Sequence, residues 1–243
     1  RADRNATEGV VVSRVVNGTK AYMLCLACET DFVAKTEGFV QAANEILEIA
    51  VKNDVADLES LLATKACDRT VADLVSEKSG QTGEKVELPF YGRIEAPYCA
   101  EYVHINHKVG SLIGFNKEVP AELAHDVAMQ ATAMAPVAID EAHCPKEVIE
   151  KEHEIGREQA RLEGKPENML DKIADGKVKK FLKEVTLVNQ PFVKDDKKSV
   201  GELVKAAGAQ IGGYTLFVVG EGIEKRVDDF AAEVAAQVAA AKA

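Results

Sequence analysis

Residues 9–28 read GVVVSRVVNGTKAYMLCLAC. Gly9 to Val16 is β-branched and apolar, Asn17-Gly18 is the pair preferred in two-residue hairpin turns, and Lys20 to Cys28 is a second apolar run. The pattern predicts an antiparallel hairpin over 8–28. Thr30 and Asp31, just beyond it, can cap a short helix. Phe39, Val40, Ala43, Ile46, Leu47, Ala50 and Val51 then recur at helical spacing on one face. Smaller helices are expected over 57–63 and 70–78, the second opened by Thr70 with Asp73 three residues on. The same order returns downstream. Ile94 to Ile105 and Val109 to Phe115 read as a second hairpin about Asn106-His107-Lys108, followed by a helix through Leu123, Val127, Ala128, Ala131 and Met134. Hairpin-then-helix twice over predicts an α+β fold of two similar subdomains, each an antiparallel sheet with helices on one face.

The texture changes after Pro145. Val148, Ile155 and Leu162 stand seven residues apart in a charge-dense stretch, and Gly164-Lys165-Pro166 precedes Leu170, Ile173, Ala174, Phe181 and Leu182. A thin apolar seam on two helices joined by a Gly/Pro turn predicts an inserted antiparallel coiled-coil hairpin. Strand texture returns at Val185 to Val193 and Tyr214 to Val219, with a helix near 201–207 and an alanine-rich closing helix over Ala231 to Ala241. The expected division is an N-terminal core subdomain (1–91), a C-terminal core subdomain (92–136 and 185–222), the hairpin insert (137–184) and a C-terminal helical module (223–243).

Composition limits the function. The 243 residues carry 47% apolar and 29% charged side chains and a formal charge of −10. This is ordinary globular composition, and the acidity opposes phosphate backbones unless a local basic patch exists. No apolar run is long enough for a membrane span. The chain opens without a visible signal peptide. Its five cysteines, Cys25, Cys28, Cys67, Cys99 and Cys144, are odd in number and sit among apolar neighbours. Reduced thiols and a cytoplasmic location are therefore expected.

Few motifs suggest chemistry. Cys25-Leu26-Ala27-Cys28 invites a zinc or redox reading, but residues three apart on a strand point to opposite faces. His104-Ile105-Asn106-His107 has the same defect. His125, His143 and His153 read as surface histidines without partners. There is no Gly-x-Ser-x-Gly and no complete phosphate loop, Gly220-Glu221-Gly222 being only a fragment. Lys177 to Lys183 and Lys194 to Lys198 are basic, but acidic residues lie beside them. Asp31-Phe32 has two readings. Most phenylalanines are core, so Phe32 can fill the junction of hairpin and helix; the alternative is an exposed aromatic wedge beside a carboxylate, suited to a protein contact.

Several segments resemble the bacterial elongation factor Ts family. Glu29-Thr30-Asp31-Phe32-Val33-Ala34-Lys35 is similar to its Thr-Asp-Phe-Val-Ala signature. Val148-Ile149-Glu150-Lys151-Glu152 with Gly164-Lys165-Pro166-Glu167 resembles its coiled-coil hairpin, and Gln190-Pro191-Phe192-Val193-Lys194-Asp195 and Gly220-Glu221-Gly222-Ile223-Glu224-Lys225 its closing segments. The resemblance implies a guanine-nucleotide exchange factor for elongation factor Tu, the GTPase that delivers aminoacyl-tRNA. It implies no catalytic residue and no cofactor or metal. In the family the Asp-Phe pair intrudes near the GTPase's Mg²⁺ and phosphate site, which transfers to Asp31 and Phe32. The other partner-binding positions transfer to Val109, Gly110, Gln130, Val193 and Lys194. The family's N-terminal three-helix module is not seen in the sequence. No membrane and no direct nucleic-acid contact are expected, and a homodimer through the core or the coiled coil stays open.

Overall fold

The structure, a computed structural model, describes residues 2–221. The closing helix expected over Ala231 to Ala241 and the 223–243 module lie outside the described residues. Strands β1 (Glu8–Val16) and β2 (Lys20–Cys28) form the first hairpin. Asn17 and Gly18 at its turn have φ of 53° and 71°, the left-handed values that a two-residue turn demands. Helices α1 (Asp31–Ala34), α2 (Glu37–Lys52) and α3 (Leu58–Ala63) follow, each started by a side-chain cap from Thr30, Thr36 or Asp57. A small ribbon, β3 (Lys65–Ala66) and β4 (Arg69–Thr70), leads into α4 (Val71–Thr82), whose Thr70 and Asp73 form the anticipated capping box. Strand β5 (Glu87–Glu95) then returns beside β2, giving a sheet in the order β1-β2-β5.

The second unit repeats this plan. Strands β6 (Tyr98–Val103) and β7 (Val109–Phe115) form a hairpin, α5 (Ala121–Met134) follows, and a later strand pairs with the second of the two. Between α5 and that strand stand α6 (Lys146–Leu162), α7 (Leu170–Val185), a two-stranded ribbon of β8 (Pro191–Phe192) and β9 (Asp195–Ser199), and α8 (Val200–Ala206). Strand β10 (Ile211–Val218) closes the sheet in the order β10-β7-β6. Each repeat is thus hairpin, helix, then a third strand beside the second, and the α+β expectation holds.

The two sheets pack face to face. Val11, Met23 and Cys25 of the first meet Cys99, Leu112 and Phe217 of the second, with Phe90 stacked on Phe217 at 4.6 Å. The opposite face of the first sheet, including Tyr22, Leu24 and Leu26, is covered by Phe39, Ile46 and Leu47 of α2. Ile113 and Phe115 of the second meet Val127 and Ala131 of α5 and Val200 of α8. Strand β2 is therefore buried on both sides, which explains its unbroken apolar run. The hairpin turns are cross-linked as well. Gly18 and Thr19 accept from the backbone N–H of Cys99 (2.7 Å) and Ala96 (3.0 Å), while His107 accepts from Val11 (2.8 Å).

Four expectations need correction. Ile94 to Ile105 is not one strand: β5 ends at Glu95 and β6 starts at Tyr98, because Pro97 lacks the N–H that a continuing ladder needs. Val185 to Val193 is not a strand; α7 runs to Val185, a single 3-10 turn covers Leu187–Asn189, and only Pro191–Phe192 extends. The expected seam of the helical pair holds only in part. Leu170, Ala174 and Leu182 of α7 are buried and Val148 packs against the Leu182 cluster, but Ile155 is 40% exposed and Leu162 80%, and on α6 Gly156 and Ala160 are buried in their place. Small residues let the helices approach until a Cβ on Gly156 would lie 3.3 Å from the Ala174 Cα. Last, three histidines do have partners. His143 meets Asp140 at 2.5 Å, His153 meets Asp175 across the helical pair at 3.0 Å, and the His125 ring stands edge-on to Tyr102 at 5.6 Å.

Candidate functional site

Helix α1 presents two opposed faces. Ala34 is buried and Val33 packs against the first core, whereas Phe32 points away and is 81% exposed. The core-filling reading of Phe32 is thereby excluded. The Thr30 side chain accepts from the Val33 N–H at 3.4 Å and starts the turn. Asp31 takes a hydrogen bond from Lys35 Nζ at 3.1 Å. That bond, and after it the charge of Lys35, holds the Asp31 carboxyl below its ordinary range, with a smaller contribution from Lys108. Lys108 is paired to Glu8 at 2.9 Å and directly precedes Val109, so the second group of candidate residues begins within electrostatic reach of the first.

Val109, Gln130 and Val193 come together around a hollow of about 570 Å³, lined also by Tyr102, His104, Met129 and Ala133. Val193 is 52% exposed at its rim. Gln130 is fully buried, and its amide is occupied internally: Nε2 donates to the Pro191 carbonyl at 3.0 Å and Oε1 accepts from the Val193 N–H at 3.1 Å. Its geometry is that of a clamp holding residues 191–193 over the hollow. Lys194 turns onto α5, 3.0 Å from the buried Asp126 carboxylate and 3.8 Å from Glu122. The bond to Asp126 raises its pKa further. Gly110 is not among the residues lining the hollow. A Cβ there would stand 3.0 Å from Met23 Sδ and 3.0 Å from Val11 Cγ1, so the glycine serves contact between the two sheets. A Gly110→Val variant would report on that packing, not on a partner's approach.

Tyr102, Met129 and Ala133 belong to the hollow and were not anticipated. Tyr102 stands on β6, inside the Ile94 to Ile105 run read as one strand, and its partners Met129 and Ala133 lie on α5, the helix that follows the same hairpin. Only the α5 periodicity offered a signal, and periodicity cannot tell a helix face that is covered from one left partly open.

The cysteines offer little reactivity. Cys25 faces the second sheet and Cys28 faces the helices, as strand alternation requires. Burial pushes both thiols up to about 12. Cys67 is the exposed thiol of the five. Thiol titration of the native protein at pH 8 should therefore show one fast-reacting group, rising to five in denaturant; two or more fast groups without denaturant would contradict this burial. Among the described residues no group of three or more His, Cys, Asp or Glu is placed to hold a metal ion, and no helix is long and apolar enough to cross a membrane.

Comparison with known proteins places these features. The chain is 44% identical over 241 residues to elongation factor Ts of Ralstonia nicotianae, covering 99% of this chain and 81% of that protein. It is 45% identical over 247 residues to elongation factor Ts of an Azoarcus species, covering 100% of this chain and 82% of the relative. Elongation factor Ts of Burkholderia multivorans is 43% identical over 245 residues, at 99% and 82%. The family model described as "Elongation factor TS" matches residues 29–221, from the residue before the Thr30 cap to the end of the second sheet. On these grounds the chain belongs to the elongation factor Ts family.

Proposed function

We propose that this protein promotes GDP release from elongation factor Tu by binding alone, with Asp31 and Phe32 inserted near the GTPase's Mg²⁺ and phosphate site. The observation that carries the reading is the exposure of Phe32 (81%) on a short helix whose other face is anchored. Burying such a ring is worth roughly 1.5–3 kcal/mol, which the folded chain leaves for a partner to realise. Asp31 supplies a charged acceptor at the same contact. The hollow between Val109 and Val193 would take a side chain projecting from the GTPase, with Gln130 holding its rim and Lys194 beside it. An exchange factor that prefers the GTPase conformation holding Mg²⁺ and diphosphate poorly must itself be weakened by nucleotide to the same degree. No bond is made or broken, so the protein is not read as an enzyme. Direct nucleic-acid contact has no part in the reading, and a cytoplasmic location accords with it.

The test is stopped-flow release of a fluorescent GDP analogue from elongation factor Tu, with and without this protein. Acceleration that grows with the protein's concentration and then saturates is expected. Release at the spontaneous rate at every concentration would overturn the function.

A further inference from the structure

A helix of four residues closes too few hydrogen bonds to hold itself in water, so something outside α1 sets the direction in which Phe32 projects. We propose that Glu84 is the positioning residue for this element, an inference that rests on the exchange reading above. Glu84 stands just beyond α4, yet its carboxylate reaches back to the start of α1. Oε2 accepts from the backbone N–H of Glu29 at 2.9 Å and of Thr30 at 3.0 Å. Oε1 accepts from the Thr30 hydroxyl, 54 residues away in sequence. That hydroxyl is the one whose oxygen caps α1, so one carboxylate fixes both the backbone entering the helix and the cap that starts it.

The tie is reciprocal. Glu29 sends its own carboxylate to the Lys85 N–H at 2.6 Å, and the Glu84 carbonyl accepts from Ser79 Oγ at 2.6 Å. The entry to α1 and the exit from α4 are thus clasped by charged acceptors, which make stronger hydrogen bonds than neutral ones. Without Glu84, the contacts of Val33 and Ala34 still seat the helix, but its leading end, where Asp31 and Phe32 sit, loses three bonds. A wedge is effective only when held at the angle its partner requires, and displacements near 1 Å cost orders of magnitude in positioned contacts.

The experiment compares GDP-analogue release from elongation factor Tu catalysed by the unaltered protein, Glu84→Ala, Glu84→Gln, Phe32→Ala and the Glu84→Ala/Phe32→Ala double variant. Glu84→Ala should slow stimulated release about tenfold. Glu84→Gln keeps an oxygen for the two N–H groups and should recover most of the rate. In the Phe32→Ala background the Glu84→Ala change should add less than about twofold, since a lost wedge cannot be misaimed. A general structural defect would instead multiply with Phe32→Ala. Full multiplication, or Glu84→Ala at the unaltered rate while Phe32→Ala is slow, would overturn the positioning role and leave the exchange function standing. Phe32→Ala at the unaltered rate would remove both the wedge and its support. Should Glu84→Ala fail to fold, Thr30→Val removes the hydroxyl arm alone, and the same non-multiplication with Phe32→Ala is required of it.

Discussion

Replacing Phe32 with alanine is expected to slow stimulated GDP release about 30-fold at sub-saturating protein, the size of a central hot-spot loss near 2 kcal/mol. The ring makes no contribution to the core, being 81% exposed, so the urea midpoint of the free protein should move by less than about 0.5 kcal/mol in stability. The separation of these two readouts is the point of the variant. A residue that merely completed the fold would shift both. Stimulated release unchanged by Phe32→Ala would eliminate the wedge, whatever the midpoint did.

Phe39→Ala is the converse case. Seven residues along the same segment, Phe39 is completely buried under α2 against β1 and β2, and its N–H also takes the Thr36 cap at 3.3 Å. Removing a fully enclosed ring costs about 3–5 kcal/mol, transfer and cavity terms together. Against a typical total of roughly 5–15 kcal/mol, that is a large share. The urea midpoint should fall steeply with little change in slope. Under conditions where the variant remains folded, stimulated GDP release should stay near the unaltered rate, because Phe39 has no exposed surface to offer a partner. A midpoint within about 1 kcal/mol of the unaltered protein would show that the cluster around Phe39 collapses into the vacancy, contrary to the dense packing expected there.

The architecture was legible where local signals agreed with the fold. Asn17-Gly18 placed the first hairpin, the apolar spacing of Phe39 to Val51 placed α2, and Thr70 with Asp73 placed the start of α4. The chain's failures in reading share a cause. Val185 to Val193 looks like a strand because it is apolar, yet Leu187, Val188 and Phe192 are buried in the cluster around α5 and α8, and strand pairing is confined to the short Pro191–Phe192 ribbon and a single bridge at Thr186. On α6 the expected seam followed the large side chains at seven-residue spacing, whereas the helix turns the smaller Gly156 and Ala160 inward, Gly156 coming close to Ala174 of α7.

At the site, the sequence could identify Asp31 and Phe32 but not choose between an inward and an outward ring. That choice is made by Val33 and Ala34, which compete successfully for the same core surface. Glu84 was invisible for a different reason. It lies beyond four helices and a ribbon from the residues it binds, and a lone glutamate after a helix reads as solvated until the backbone brings Glu29 and Thr30 to it. Gln130 was visible as a position transferred from the family, but sequence does not reveal that both ends of its amide are bonded within the chain.

The back-to-back seam of the two sheets has a mechanical consequence. With Met23, Cys25, Leu112 and Phe217 interlocked and each hairpin turn bonded to the neighbouring repeat, the repeats cannot slide or swivel independently. The aromatic tip on one and the hollow on the other are thereby held at a set separation, like the jaws of a locked caliper. On the proposed reading, such a gauge does not adjust to the partner it meets, so any deformation falls on the partner.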